Sequence, residues 1–401
     1  MPMAWALLAG LVLAVAGFVL GRGRAMAAAG GDIRRLHSRP VYHGASVAML
    51  VLAPAAAVLA AAAILMMAGL LPPEARGLAG MIALAAAVAG LGWGVSRIGM
   101  GFRARNAVEA MLLGLLILCS TIAILTTAGI VLSMLFETGH FFRQYHWADF
   151  FFGTEWTPRF QGNSRLGIVP LLWGTLYISL IALLVAVPVG LFAAIYMSEY
   201  ASKRMRGIAK PAIEILAGIP TIVYGLFALI TVGPMLRDWF AQPLGLGNSG
   251  SSVMTAGLVM GIMLIPFVSS LSDDIINAVP QSLRDGALGL GSTRSETIRQ
   301  VVLPAALPGI VGAVLLAASR AIGETMIVVL GAGAAARMSL NPFEAMTTIT
   351  VKIVSQLTGD NDFSAPETLV AFALGLTLFV ITLGLNIVAL YIVRKYREQY
   401  E

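Results

Sequence analysis

The sequence predicts an all-α polytopic membrane protein, a six-span core preceded by three extra N-terminal spans. Three observations carry this. Of the 401 residues, 58% are hydrophobic and only 11% are charged. Mean hydropathy is +0.87. The apolar residues fall into long uninterrupted runs. No water-soluble domain of this length hides so much apolar surface, so lipid must be part of the solvent.

Nine runs reach the roughly 20 residues that a spanning helix needs: 3–21, 46–71, 78–96, 107–136, 168–197, 211–236, 253–272, 310–333 and 366–393. Met3 to Leu20 also has the length of a signal peptide, with Ala25-Met-Ala27 as a cleavage site. The basic n-region is missing, however, and Arg22 and Arg24 follow the run. It reads as a first span with its N-terminus outside. Basic residues then orient the rest. Arg22, Arg24, Arg34, Arg35 and Arg39 lie after the first run. Arg97, Arg103 and Arg105 lie after the third, Lys203, Arg204, Arg206 and Lys210 after the fifth, and Arg394, Lys395 and Arg397 at the C-terminus. With alternating spans all four groups share the cytoplasmic side. The net charge of +6 is read the same way, as loops facing anionic lipid rather than nucleic acid.

The chain divides near residue 100. Residues 1–100 form an N-terminal extension with three spans, Ala/Leu-rich and without polar residues deep in any of them; residues 101–401 hold six spans and every informative motif. Segment 137–167 is rich in aromatics (Phe141, Phe142, Phe150, Trp156 and Phe160 among them), either an interfacial belt or an ordered cap that docks an external partner. Pro188, Pro220 and Pro234 interrupt apolar runs and suggest kinks. His37, His43, His140 and His146 show no metal spacing and read as loop residues; Cys119 stands alone, so no metal site or internal disulfide is expected. Glu199 and Glu214 lie near membrane ends and read as solvated.

Segment 281–304 needs a separate reason. Pro280 and Pro304 bracket a stretch long enough for two short helices with a turn near Gly289–Gly291. Ser292 or Thr293, followed by Glu296, would cap the second. Acids slightly outnumber arginines between residues 273 and 309, so topology rules do not explain these charges. Leu283, Ala287, Leu288 and Leu290 make an apolar ridge flanked by Arg284, Asp285, Arg294 and Arg299. Such a knob suits a cleft on another protein; the alternative is a helix lying on lipid, which usually carries more basic residues.

A second anomaly lies inside the eighth run, at Arg320, Glu324 and Thr325. A helix starting near 309 puts Arg320 roughly 16 Å into the membrane at about 1.5 Å per residue. A charge at that depth costs on the order of 2.5–3.5 kcal/mol. Arg320 and Glu324 are four apart and would share a helix face. They either compensate each other in packing or line a polar path, where a guanidinium fork suits a tetrahedral oxyanion. None of the four lysines ends a G-x-x-x-x-G-K-[ST] loop, and no nucleophile–base constellation is present. The chain is therefore not read as an enzyme, and any ATP hydrolysis must sit on another subunit.

Asp285-Gly286-Ala287, three residues, Gly291, nine residues, then Val301-Val-Leu303-Pro304 resembles the EAA loop of ABC-importer permeases, with Asp for Glu, Gly for the first Ala and Val for Ile. From about 107 onward the chain resembles the PstC-type permease subunits of phosphate-specific ABC importers. The stretches that carry this are Phe152-Gly-Thr-Glu-Trp156-Thr-Pro158, Gly174-Thr-Leu-Tyr-Ile-Ser179, Ala186-Val-Pro188, Ser198-Glu199-Tyr200, Leu216-Ala-Gly-Ile-Pro220, Tyr224-Gly225 and Arg320-Ala-Ile-Gly-Glu324-Thr325-Met326. The resemblance implies a type I importer (MetI-like) fold in the bacterial inner membrane. It also implies a PstA-like sister permease, two copies of an ATP-binding subunit and a periplasmic phosphate-binding protein as partners. By the same carry-over, ATPase coupling falls to Asp285, Gly286, Ala287, Gly291, Leu303 and Pro304, and the substrate pathway to Arg320, Glu324 and Thr325; no cofactor is implied. A permease of this class for sulfate, molybdate or phosphonate is the nearest alternative. An ion-coupled secondary transporter is a more distant one, since no inverted repeat with broken helices is evident.

Overall fold

The computed structural model describes residues 3–159, 163–358 and 365–397, and Phe160 lies outside them. Among the described residues, nine helices are long and apolar enough to cross a membrane. The all-α expectation therefore holds. The chain separates into two compact units, Met1–Ala128 and Gly129–Glu401. That boundary falls inside a long helix, whereas the composition shift near residue 100 falls in the link before it.

The first unit is built on α1 (Met3–Ala28), α2 (Pro40–Met67) and α3 (Arg76–Ser96). Pro40 sits in the first turn of α2, where its missing N–H costs nothing, so the helix starts six residues before the apolar run. Small residues repeat along one face of α1, with Ala6, Gly10, Ala14, Gly17, Gly21 and Ala25 all buried. In lipid, where no hydrophobic effect drives helices together, such faces let backbones approach closely. At Gly90 the approach is so close that a Cβ would lie 2.0 Å from the Leu50 carbonyl oxygen. His43 is not in a loop. It is fully buried in α2, its ring 5.7 Å from that of Phe102. His140 likewise lies in a helix, α4 (Ala104–Gln144), which runs through the unit boundary.

The second unit is organised around α6 (Val169–Ile195) packed against α9 (Val253–Ala278). Gly190, Gly257 and Gly261 bring the two together; a Cβ at Gly257 would collide with Ile181, and one at Gly261 with Val185. Ile178, Met260, Leu264 and Val268 fill the core between them. A second core holds the aromatic segment. Phe141 and Phe150 are wholly buried, edge to face at 5.4 Å, and pack with Trp156, Leu166 and Leu374. The segment is thus ordered and packed, as a cap would be. Its α5 (Trp147–Phe152) leads into a two-stranded antiparallel hairpin pairing Trp156 with Leu166. Trp147 and Phe152 face outwards.

Two spans differ from the sequence reading. Residues 203–218 form a separate amphipathic helix, α7 (Lys203–Gly218), with no buried residue. Pro220 ends it, and the span proper is α8 (Thr221–Ala241). Hydropathy merged the two because Ile213, Ile215 and Ile219 are apolar, but proline disfavours helix in the residue before it. Pro188 sits inside α6, and Pro234 lies between two π-helical turns of α8. The eighth span also shifts. It is one continuous helix, α11 (Arg294–Ile322), preceded by the short α10 (Gln281–Gly289) and followed by α12 (Met326–Gly331). The unit ends with α13 (Ile349–Leu357) and α14 (Pro366–Arg397).

Candidate functional site

The segment between Pro280 and Pro304 folds as its residues dictate. Pro280 caps α10, and Gly291 turns the chain with φ +91°, a conformation that costs any L side chain strain. Thr293 then opens α11 with a full capping box: its hydroxyl accepts from Glu296 N–H while the Glu296 carboxylate accepts from Thr293 N–H at 2.8 Å. Of the two candidate caps, Thr293 is the one used. Leu303 and Pro304 do not begin a new helix. They continue α11 through a π-helical turn at Ile298–Val302.

Asp285 and Gly286 are exposed, as are Leu283, Leu288 and Leu290, the last 90% exposed at the tip. Ala287 is turned inwards. The knob is fastened at its base. Arg284 pairs with Glu199 at 3.0 Å and donates to the carbonyls of Ile276 and Val279. Glu199 is thus not solvated: it is 9% exposed, in the π-helical turn Tyr196–Tyr200 that ends α6. Its position beside a membrane end hid this, because its partner lies 85 residues away.

Arg320 lies in the last turn of α11, exposed, with its guanidinium 5.8 Å from the Phe267 ring centroid. It lines a cavity of about 370 Å³ with Glu214, Thr221, Pro266, Phe267 and Ser270. The expected sharing of a helix face with Glu324 fails. Gly323 ends the helix, and the Glu324 carboxylate instead accepts from Met326 N–H at 3.0 Å. The Glu324 carbonyl accepts from the Thr350 hydroxyl at 2.8 Å. Thr325 holds the N-cap position of α12. The helical spacing was sound, but the glycine between the two charges is where the helix stops.

Residues 186–398 match the family described as the binding-protein-dependent transport system inner membrane component. The chain belongs to this family. The match starts within α6 and takes in the knob, Arg320 and the last span, so this family member is a multi-pass inner-membrane protein of ABC transport. Residues 7–71 match a second family, described as phosphate ATP-binding cassette transporter. The phosphate transport system permease protein PstC of Mesorhizobium japonicum is 35% identical over 262 residues, covering 62% of this chain and 78% of that protein. PstC 1 of Mycobacterium tuberculosis is 36% identical over 280 residues, covering 61% and 81%. PstC of Pasteurella multocida is 34% identical over 295 residues, covering 69% and 88%. Among solved structures, a bacterial alginate ABC transporter in complex with alginate pentasaccharide-bound periplasmic protein is similar at TM-score 0.48 and 18% identity, covering 73% of this chain and 97% of that one.

The permease also carries charged groups that the sequence reading passed over. Asp273, wholly buried at the end of α9, accepts from Arg206 at 2.9 Å, Lys210 at 3.0 Å and Asn277 at 2.8 Å. These bonds pin α7 to α9. They raise the Lys210 ammonium above its ordinary value, the hydrogen bond to Asp273 being the main cause. The signal was present, as two adjacent aspartates just past an apolar run with basic residues on the preceding amphipathic helix. Among the described residues no group of His, Cys, Asp or Glu is placed to hold a metal.

Proposed function

We propose that this chain is the phosphate-passing permease subunit of an ATP-driven importer, with ATP hydrolysis on two copies of a separate ATP-binding subunit. A PstA-like sister permease would complete the membrane core, and a periplasmic phosphate-binding protein would deliver the substrate. The observation that carries this reading is the Arg320 cavity in a chain whose relatives are named as phosphate permeases. An arginine exposed on a spanning helix is costly against lipid. Facing a sister subunit across a polar path, it gains a purpose, since its donor fork fits tetrahedral oxyanions.

Force would enter through the knob. On this reading residues 281–304 face the cytoplasm together with the basic loops and the C-terminus, and the N-terminus lies outside. The apolar tip at Leu288 and Leu290 fits a cleft on the ATP-binding subunit. Closure of that subunit pair pushes α10. The Glu199–Arg284 pair passes the push to α6, and the unbroken 29-residue α11 passes it to Arg320. Asp285, Gly286, Ala287, Gly291, Leu303 and Pro304 act in coupling; Arg320, with Glu324 and Thr325 shaping the helix break behind it, acts on the substrate. Residues 1–100 serve as an accessory membrane unit on the permease domain 101–401.

The test is phosphate uptake by the complete complex in proteoliposomes. Arg320→Gln should abolish uptake while the complex still assembles and hydrolyses ATP. Unchanged uptake would remove Arg320 from the pathway. ATPase activity that does not respond to phosphate-loaded binding protein would count against the importer reading as a whole.

A further inference from the structure

Glu214 borders two cavities. One is the 370 Å³ cavity of Arg320. The other, about 420 Å³ and more open, is lined by Lys203, Arg206, Gly207, Lys210, Pro211 and Glu214. The helix geometry explains why. Positions 203, 206, 210, 214 and 217 recur at three- and four-residue spacing and so share one face of α7. That face runs from three basic residues, past a single carboxylate, to Ala217 beside the Arg320 cavity. Arg206 and Lys210 are held by Asp273, whereas Lys203 makes no ion pair among the described residues. Glu324, the acid nearest to Arg320 in sequence, is occupied in capping α12, and no ion pair joins it to Arg320.

A conducting path must hold an anion firmly enough to admit it and weakly enough to let it leave. A guanidinium with no acid opposite it meets only the first condition. We propose that Glu214 is the release carboxylate of the pathway. It competes with the transported oxyanion for the Arg320 guanidinium, and sends the anion on along α7 towards Lys203. This rests on the reading of Arg320 as a pathway residue. It assigns a positioning role to an acid that the sequence alone presents as an ordinary solvated residue.

The test uses the complete transporter in proteoliposomes with labelled inorganic phosphate. Glu214→Gln should lower maximal uptake about tenfold, and slow the release of trapped phosphate from the transporter by a similar factor, because the anion is held too well. A merely structural defect would instead weaken phosphate retention. Glu214→Asp, which keeps the charge, should restore most of both rates. Glu214→Ser serves as a second neutral variant with the same expected outcome, should the glutamine variant fail to assemble. Wild-type uptake and release in both neutral variants would overturn the proposal. If Arg320→Gln abolishes uptake while those variants remain normal, only the role of Glu214 falls; if Arg320→Gln itself is normal, the pathway reading falls first.

Discussion

Arg284 and Glu199, 85 residues apart in sequence, meet at 3.0 Å with side chains only 12% and 10% exposed. The pair ties the base of the α10 knob to the last turn of α6. Removing one partner of a buried pair leaves the other charge unpaired, at a cost of about 3–5 kcal/mol, whereas removing both costs far less. Glu199→Gln and Arg284→Gln should each lower the thermal midpoint of the purified complex and reduce phosphate transported per ATP. The double variant should recover much of the midpoint but not the coupling. Equal coupling in all three proteins would show that the pair is only a structural rivet.

The Asp273 cluster gives a prediction with a pH sign. Lys210 is held above its ordinary value of 10.5 by its bond to Asp273. A group with a raised folded pKa contributes stability that is fully present below its unfolded pKa and is lost as pH rises through the folded value. This part of the stability should therefore stay level from neutral pH to about pH 10 and fall only above that. Lys210→Met should lower the level region and flatten the alkaline fall, as read from thermal unfolding against pH. Asp273→Asn should cost about 1–3 kcal/mol at neutral pH, discounted because both cations can turn to solvent.

How much of this was legible in the sequence follows from the range of each signal. The number of apolar helices, the knob, its turn and its capping box are local, and all could be read from spacing. Three things could not. Hydropathy averaged across Pro220 and so joined α7 to the span after it. The i,i+4 rule fails across Gly323, because the helix ends there. The cationic partners of Glu199 and Asp273 lie on other helices, 85 and up to 67 residues away, where no window reaches. Acidic residues beside a membrane end look solvated until the fold brings a cation to them.

The knob tip gives the next expectation. Leu288 and Leu290 are 48% and 90% exposed, a high cost unless a partner covers them. Leu290→Asp should weaken capture of the ATP-binding subunit by roughly 2 kcal/mol, about thirtyfold, as for a central interface anchor. Gly291→Ala strains the φ +91° turn by on the order of 1–2 kcal/mol, and should re-aim the tip with a milder loss. Pull-down of the ATP-binding subunit at graded concentrations measures both. Undiminished capture by Leu290→Asp would move the docking surface elsewhere.

Gly90 separates the two units experimentally. Any side chain there would drive its Cβ to 2.0 Å from the Leu50 carbonyl oxygen, a backbone atom that cannot swing away. Gly90→Leu should therefore force α2 and α3 apart at a cost of several kcal/mol, and expose residues 1–96 to limited proteolysis. Every residue assigned to coupling or passage lies in the second unit, where the binding-protein-dependent transport match begins at residue 186, while residues 7–71 match a separate phosphate-transporter family. On the reading of residues 1–100 as an accessory unit, phosphate uptake per assembled complex should stay within about twofold of wild type, even as the amount of complex falls. A loss of uptake in complexes that remain fully assembled would mean that the first unit takes part in transport and is more than an accessory anchor.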